Sequence, residues 1–114
     1  MSAITLGNLV IDRSRVSAYV DGQPLALTYV EFELLYQLAR NAGQVLSRRR
    51  LLRSVWHEPA RSGDRKLTVH MSRLRTKVRG SDPWRIETYT RRGYGLISKA
   101  SVEHMAPALL ASQE

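Results

Sequence analysis

The hydrophobic positions of the chain have strand character up to about residue 27, a helical period from there to about residue 79, and strand character again from residue 85. Leu9–Asp12 holds a compact apolar stretch, and Val16–Val20 alternates apolar and polar side chains. Asp21-Gly22, a frequent hairpin-turn dipeptide, separates these stretches from Pro24–Leu27. Residues 4–27 therefore predict an antiparallel meander of three or four short strands.

A first helix is predicted from Thr28. Thr28 and Glu31 have the spacing of a capping box, in which each side chain binds the other residue's backbone amide. The apolar stripe of this helix consists of Phe32, Leu34, Leu35, Leu38 and Ala39. Asn41-Ala42-Gly43 is a typical helix stop.

A second helix is predicted from Ser47, which is an N-cap candidate. Its residues at helical spacing are Leu51, Leu52, Val55 and Trp56. Pro59 and Gly63 then bracket a loop.

The residues from 65 to 79 predict a third helix with two contrasting faces. The buried face would consist of Leu67, Met71, Leu74 and Val78. The opposite face would carry Arg65, Val69, Ser72, Arg73 and Thr76, with Thr68 and Arg75 at its flanks. Asp64, placed near the N-terminus, is the only acid between residues 59 and 81. This composition fits a DNA major groove, and the simpler alternative is a solvated cationic surface.

A hairpin is predicted after the turn-rich residues 80–83. Arg85–Tyr89 has strand character, residues 90–93 form a basic turn, and the chain returns as a strand from Tyr94 to Ser98. With Arg91 and Arg92 at its tip, the hairpin resembles a wing that lies along or within a minor groove. Residues 100–114 predict a tail.

Basic charge is concentrated in one part of the chain. Residues 1–43 have a net charge of −1, residues 44–99 of +11, and the whole chain of +8. Such asymmetry is typical of a surface that binds a polyanion. Most of the basic residues are arginine, which forms bidentate bonds with phosphates and guanine edges and so favours nucleic acid over a membrane.

Several functional classes are disfavoured by the composition. The chain has no cysteine, its apolar runs are far too short to span a bilayer, and no N-terminal signal pattern is present. Its histidines lack metal-ligand spacing, and no phosphate-binding glycine-rich loop appears. We therefore expect a protein without catalytic activity, cofactor, metal or membrane contact. The remaining alternative is a module that binds RNA or protein without reading DNA.

Five segments together resemble the OmpR/PhoB-type effector domain of bacterial response regulators. They are Leu27–Leu35, Gly43–Arg48, Leu51–Trp56, Leu67–Val78 and Arg92–Leu96, and the match extends over about residues 4–98. The resemblance implies an α+β winged helix-turn-helix: an N-terminal antiparallel sheet, three helices and a C-terminal hairpin wing. This domain would occupy residues 1–99, and a cytoplasmic, nucleoid-associated transcription regulator is expected.

The resemblance also implies roles for individual residues. The third helix would enter the major groove and read bases with Thr68, Val69, Ser72 and Arg73. The positions that match phosphate contacts are Trp56, Arg65, Lys66, His70, Arg75, Lys77, Thr88 and Tyr94. The loop that contacts RNA polymerase in activators of this family would comprise His57, Glu58, Pro59, Ala60, Arg61, Ser62 and Gly63. A second copy on a tandem half-site is a further expected partner.

Two departures from the family pattern affect these expectations. Relatives usually have glycine where this chain has Arg91, so a tip that needs a positive φ there would be strained. We therefore expect a different turn, with Gly93 supplying the flexible residue, and the family's arginine replaced by Arg91 or Arg92, since Thr90 stands at its position. Relatives also carry an N-terminal receiver domain, which these 114 residues do not include. An excised domain and a free-standing effector both stay open.

Overall fold

The computed structural model describes residues 3–57 and 65–98. Its first four strands form one antiparallel sheet in chain order: β1 (Ala3–Leu6), β2 (Leu9–Asp12), β3 (Ser17–Val20) and β4 (Gln23–Pro24). Val20 pairs with Gln23, so Asp21 and Gly22 form a two-residue hairpin turn, and both have the positive φ that this turn requires. The predicted meander is confirmed with four strands.

Two strands begin or end at other residues than the sequence pattern predicts. Val16 lies in the β2–β3 turn with a φ of 48° and is 48% exposed, so it does not extend β3. β4 ends at Pro24, and after a last hydrogen bond from the Leu25 amide to the Ala18 carbonyl of β3 at 2.8 Å the chain runs on to the first helix. Alternation alone could not locate these two ends.

Helix α1 (Tyr29–Arg40) begins where its capping box is predicted. The Glu31 amide donates to the Thr28 hydroxyl at 3.2 Å, and the Thr28 amide donates to the Glu31 carboxylate at 2.9 Å. Asn41 is the C-cap, as the predicted stop requires. Local hydrogen bonds thus specify both ends of this helix.

Strand β5 (Val45–Leu46) was not predicted, because two residues are too few to show a period. Helix α2 (Arg48–Trp56) follows it, and the Ser47 hydroxyl accepts from the Arg50 amide at 3.0 Å, as expected of an N-cap. His57 closes α2 in the left-handed conformation, with a φ of 58°.

Helix α3 (Arg65–Lys77) ends two residues earlier than predicted. The amide of Val78 still donates to Leu74, but the amide of Arg79 donates to Thr76 at 3.4 Å in a tighter final turn. Strands β6 (Arg85–Tyr89) and β7 (Gly93–Ile97) form the predicted hairpin, and β5 joins them in a second antiparallel sheet of order β5-β7-β6.

The core lies where the three helices pack against both sheets. Every residue of the predicted apolar stripes of α1 and α3 is buried, and so are Leu9 and Ile11 of β2 and Leu46 and Leu96 of the second sheet. Because the inner face of α3 is held in this core, its outer face is directed to solvent. The predicted α+β architecture is confirmed.

A hydrogen-bonded joint ties the first sheet to the chain after α3. The Asn8 side chain donates to the Gly80 carbonyl at 3.0 Å and accepts from the Asp82 amide at 2.7 Å. Gly7 has a φ of +62°, and a Cβ there would lie 2.2 Å from the Asp82 carbonyl oxygen. Only glycine permits this approach, which fixes the position of the C-terminal end of α3.

Three predicted features lie outside the described residues: the loop from Pro59 to Gly63, Asp64, and the tail over residues 100–114. Within residues 3–57 and 65–98, no helix is long and apolar enough to cross a bilayer.

Candidate nucleic-acid interface

The exposed face of α3 carries the residues predicted to read bases. Thr68, Val69, Ser72 and Arg73 are all exposed, and their spacing places them together on the side opposite Leu67 and Leu74. Val69 is 41% exposed, which is unusual for a branched apolar side chain in this domain. A mixture of hydroxyl, methyl and guanidinium groups can meet both the polar edges and the thymine methyl group of a major groove.

A groove of about 330 Å³ separates α3 from the hairpin. It brings together predicted contact residues that are distant in sequence: Thr68, Ser72, Arg75, Thr88 and Tyr94. The Arg75 guanidinium donates to the Thr88 hydroxyl at 2.7 Å, which joins the helix to the hairpin. The hydroxyl and guanidinium groups lining this groove are of the types that bind phosphate oxygens.

Arg48, in the first turn of α2, is the residue of this site that the sequence analysis missed. Its guanidinium donates to the Tyr94 hydroxyl at 3.0 Å and to the Thr68 hydroxyl at 3.1 Å. Tyr94 is only 6% exposed, so its ring belongs to the core while its oxygen faces Arg48. Because Thr68 accepts from Arg48, its own O–H stays available to donate. The Ser47-Arg48 start of α2 was visible, but its partners, 20 and 46 residues away, were not.

A second cluster forms where α2 ends and α3 begins. The Lys66 ammonium lies 5.3 Å from the centre of the Trp56 ring, and the His70 ring meets Trp56 edge-on at 5.5 Å. The Nδ1–H of His70 donates to the Lys66 carbonyl at 2.7 Å, since a carbonyl can only accept. The structure therefore brings three predicted phosphate contacts together, with Arg65 exposed at the helix start.

Lys77 differs from the other basic residues of α3. Its ammonium lies 2.6 Å from the Glu31 carboxylate, whose side chain is 1% exposed. Burial acts to raise the pKa of Glu31, but hydrogen bonds from Lys77 and from the Thr28 amide outweigh it and hold the pKa below its usual value of 4.5. Lys77 is thus committed to an internal ion pair that connects α3 to the capping box of α1.

The wing tip corrects one part of the expectation about its turn, which is the conformation of Arg91. Tyr89 pairs with Gly93, leaving residues 90–92 as the loop, and Arg91 itself adopts the left-handed conformation with a φ of 64°. Gly93 has a φ of +135° and so supplies the flexible residue as expected, and a Cβ there would also lie 1.9 Å from the Leu46 carbonyl oxygen, so glycine allows β5 to approach β7. The backbone strain is accepted at Arg91, and both tip arginines are exposed.

The predicted polymerase-contacting loop can be located only at its first residue. His57 is exposed at the end of α2, and Glu58 to Gly63 lie outside the described residues.

Acids are scarce around this surface. The ion pairs among the described residues join Arg13 to Glu33, Arg15 to Asp12 and Lys77 to Glu31. Within that part of the chain no ion pair includes an arginine of α3 or of the hairpin, so the surface carries net positive charge. The same residues contain no group of three metal-binding side chains.

Comparison with known proteins identifies relatives of this domain. The family model described as "Transcriptional regulatory protein, C terminal" matches residues 22–96. The chain is 42% identical to the transcriptional regulatory protein AfsQ1 of Streptomyces coelicolor over 94 residues, 81% of this chain and 42% of that protein. It is 41% identical to CpxR of Escherichia coli over 93 residues, 79% of this chain and 40% of that protein. The chain spans about two fifths of these relatives.

Solved structures share the fold. The DNA-binding domain of E. coli CpxR superposes with a TM-score of 0.75 at 35% identity, over 86% of this chain and 98% of that domain. The Klebsiella pneumoniae RstA DNA-binding domain in complex with the RstA box gives a TM-score of 0.78 at 32% identity, over 85% and 98%.

Proposed function

The chain belongs to the OmpR/PhoB-type family of transcriptional regulatory C-terminal domains, and we propose that it binds double-stranded DNA in a sequence-specific manner and thereby regulates transcription. The observation that carries the proposal is the exposed face of α3 beside an acid-poor groove that ends at an arginine-tipped hairpin. The similar RstA domain is described in complex with the RstA box. We assign this chain no catalytic step, and a genome-binding role would place it in the cytoplasm, at the nucleoid.

In this proposal α3 enters the major groove. Arg73 reads a base through bidentate hydrogen bonds, and Thr68, Val69 and Ser72 contact the neighbouring base edges. The phosphate contacts on one side of α3 come from the cluster of Trp56, Lys66 and His70, together with Arg65. On the other side they come from the groove that holds Arg75, Thr88 and Tyr94. Arg48 orients Thr68 and Tyr94 toward these contacts.

The hairpin tip and the loop after α2 complete the proposal. Arg91 or Arg92 enters a minor groove, where a narrow A·T-rich segment has enhanced negative potential. The loop from His57 to Gly63 contacts RNA polymerase. A second copy binds a tandem half-site about one helical turn away, which places both copies on the same side of the duplex.

A salt titration with a labelled duplex tests the proposal. Each neutralised phosphate contributes roughly 0.9 to the slope of log affinity against log salt, so about six to ten contacts predict a slope of roughly −5 to −9. A slope near zero would contradict the proposal, because it would mean that no phosphates are neutralised. Tighter binding of single-stranded RNA than of any duplex selected from a random pool would favour the RNA-binding alternative. The described aromatic side chains are largely buried or packed against neighbours, which is unlike a stacking platform.

A further inference from the structure

A second groove continues the first one along the junction of α3 and the hairpin. It has a volume of about 330 Å³ and lies between the C-terminal end of α3 and the start of β6. Arg75 and Thr76 line both grooves, so the two are adjacent parts of one seam. None of the contact positions implied by the family resemblance, apart from Arg75, lies in this second part.

The second groove is strongly basic. Arg75, Arg79 and Arg85 line it against a single acid, Glu87. All three arginines are exposed, whereas Glu87 is half-buried. In the described residues, neither Arg79 nor Arg85 takes part in an ion pair or a side-chain hydrogen bond. Clustered cations without anionic partners raise the local positive potential, which attracts a polyanion.

The spacing along the seam suits a nucleic-acid strand. Arg79 follows Arg75 by four residues, through the last residues of α3 and the tighter turn that closes it, so the two lie about one turn apart along the seam. A duplex strand advances roughly 3.4 Å per nucleotide along the duplex axis. A strand held at Thr88 and Arg75 would therefore reach Arg79 within about two nucleotides if it ran along the seam. Free guanidinium groups can bind successive phosphates there in bidentate fashion.

We propose that Arg79 and Arg85 bind the sugar–phosphate backbone of DNA beyond the segment that α3 reads. The inference rests on the proposed function and extends it by two phosphate contacts. Because the contacts go to the backbone, they strengthen binding to every duplex sequence and leave base preference unchanged.

The test is the salt dependence of an Arg79→Ala/Arg85→Ala double variant on a labelled duplex of random sequence. Loss of two phosphate contacts should make the log–log slope shallower by about 1.8. An Arg79→Lys/Arg85→Lys variant should keep the wild-type slope, because it retains both charges. Thermal unfolding of each variant shows that the fold is intact. In ethylation interference, ethylation of two phosphates at one edge of the footprint should weaken binding of the wild type and leave binding of the double variant unchanged.

The matched control removes the same charge from a distant surface. Arg15 and Arg40 are exposed and belong to the half of the chain with net negative charge. An Arg15→Ala/Arg40→Ala variant should change the slope by less than half as much as the Arg79→Ala/Arg85→Ala variant does. An equal change in both double variants would overturn the inference, since only net charge would then matter.

Three further outcomes distinguish this inference from the proposed function and from a contact between two copies of the chain. A wild-type slope near zero overturns the proposed function before any variant is compared. A steep wild-type slope that the Arg79→Ala/Arg85→Ala variant leaves unchanged overturns only the inference. If that variant also lost cooperative binding on a duplex with two tandem sites, the seam would contact a second copy of the chain, and the assignment to the DNA backbone would be overturned.

Discussion

Helices α1 and α3 both bury an apolar inner face, but they differ in whether the charges on their outer faces have partners within the domain. The inner residues Phe32, Leu35, Leu67 and Leu74 are all at most 1% exposed, so both helices are anchored by burial of an apolar stripe. On the outer face of α1, Glu33 forms an ion pair with Arg13, and Arg40 lies beside the Tyr36 ring. On the outer face of α3, no arginine forms an ion pair with any acid in the described part of the chain. The buried apolar stripe therefore determines how a helix packs in the core. The pairing of its exposed charges indicates whether the outer face is available to bind another molecule.

The cations at the outer face of α1 have partners within the domain. Arg13 lies 3.1 Å from the Glu33 carboxylate and 4.5 Å from the centre of the Tyr36 ring. Arg40 approaches the same ring at 5.7 Å. These cations are occupied by neighbours within the domain. In contrast, Arg73 of α3 has no such neighbour among the described residues.

The largest expected effect is on the inner faces, where the two helices should behave alike. Leu35→Ala in α1 and Leu74→Ala in α3 should each lower the free energy of unfolding by about 2–5 kcal/mol, since both side chains are fully buried and a cavity would remain. Urea unfolding followed by circular dichroism measures this. Arg73→Ala, an outer-face control, should stay within about 0.5 kcal/mol of wild type. A comparable loss from Arg73→Ala would break the comparison.

The features predicted from sequence are those that neighbouring residues specify. The starts of α1 and α2 were predictable because Thr28 and Ser47 bind amides three residues away. Strand β5 was not, because its pairing with β7 depends on residues about 50 positions away. The same holds for Arg48 and for Lys77, whose partner Glu31 is 46 residues away. The exposed face of α3 was predictable because a helical period alone places its residues together.

Lys77 resembles the outer charges of α1 in forming an ion pair within the domain, and removing it should affect stability. Lys77→Met leaves the buried Glu31 carboxylate with one partner fewer, so unfolding at pH 7 should require about 1–3 kcal/mol less. The pKa of Glu31 is lower in the folded protein than in the unfolded chain. The ion pair therefore stabilises the fold at pH values above the usual pKa of glutamate, and this stabilisation is lost as the pH falls through the lower pKa of the folded protein. The deficit of Lys77→Met should therefore shrink in acid.

Urea unfolding of both proteins between pH 7 and pH 3 measures this difference. Comparing the two proteins cancels the titration of groups that they share, such as Asp12. Lys77→Arg, which keeps a cation beside Glu31, is the control and should lose less than Lys77→Met. A deficit that is the same at pH 7 and pH 3 would show that Lys77 contributes through packing of its stem and not through the ion pair.

Arg73 and Arg75 test whether the outer face of α3 distinguishes base reading from backbone binding. Arg73→Ala should weaken binding to a selected cognate duplex by about 1–3 kcal/mol and relax base preference at one position. Arg75→Ala should weaken cognate and random duplexes alike, because its groove partner Thr88 belongs to the backbone contacts. Fluorescence anisotropy on both duplexes checks this. Equal losses for Arg73→Ala on the two duplexes would remove its base-reading role.

The wing tip combines a strained backbone with a guanidinium group that forms no ion pair within residues 3–57 and 65–98. Arg91 occupies the left-handed region, which costs an L-residue roughly 1–2 kcal/mol relative to ordinary conformations. Glycine would remove that strain, although its greater freedom in the unfolded chain offsets part of the gain. Retaining arginine there is consistent with the side chain having a partner outside the domain, as we propose for the minor groove.

The smallest expected effect therefore comes from Arg91→Gly, and it should have opposite signs in two assays. The free energy of unfolding should rise by about 0.5 kcal/mol as the strain at φ 64° is relieved. Affinity should fall by about 0.5–1 kcal/mol on a duplex with an A·T-rich flank, and by less on one with a G·C-rich flank, because the narrower groove attracts arginine more strongly. Paired probes that differ only in the flank measure this, with Arg92→Gly as the control that changes charge without relieving strain. Equal losses on both probes would mean that Arg91 only touches phosphates, and the wing would then resemble Arg75 in function.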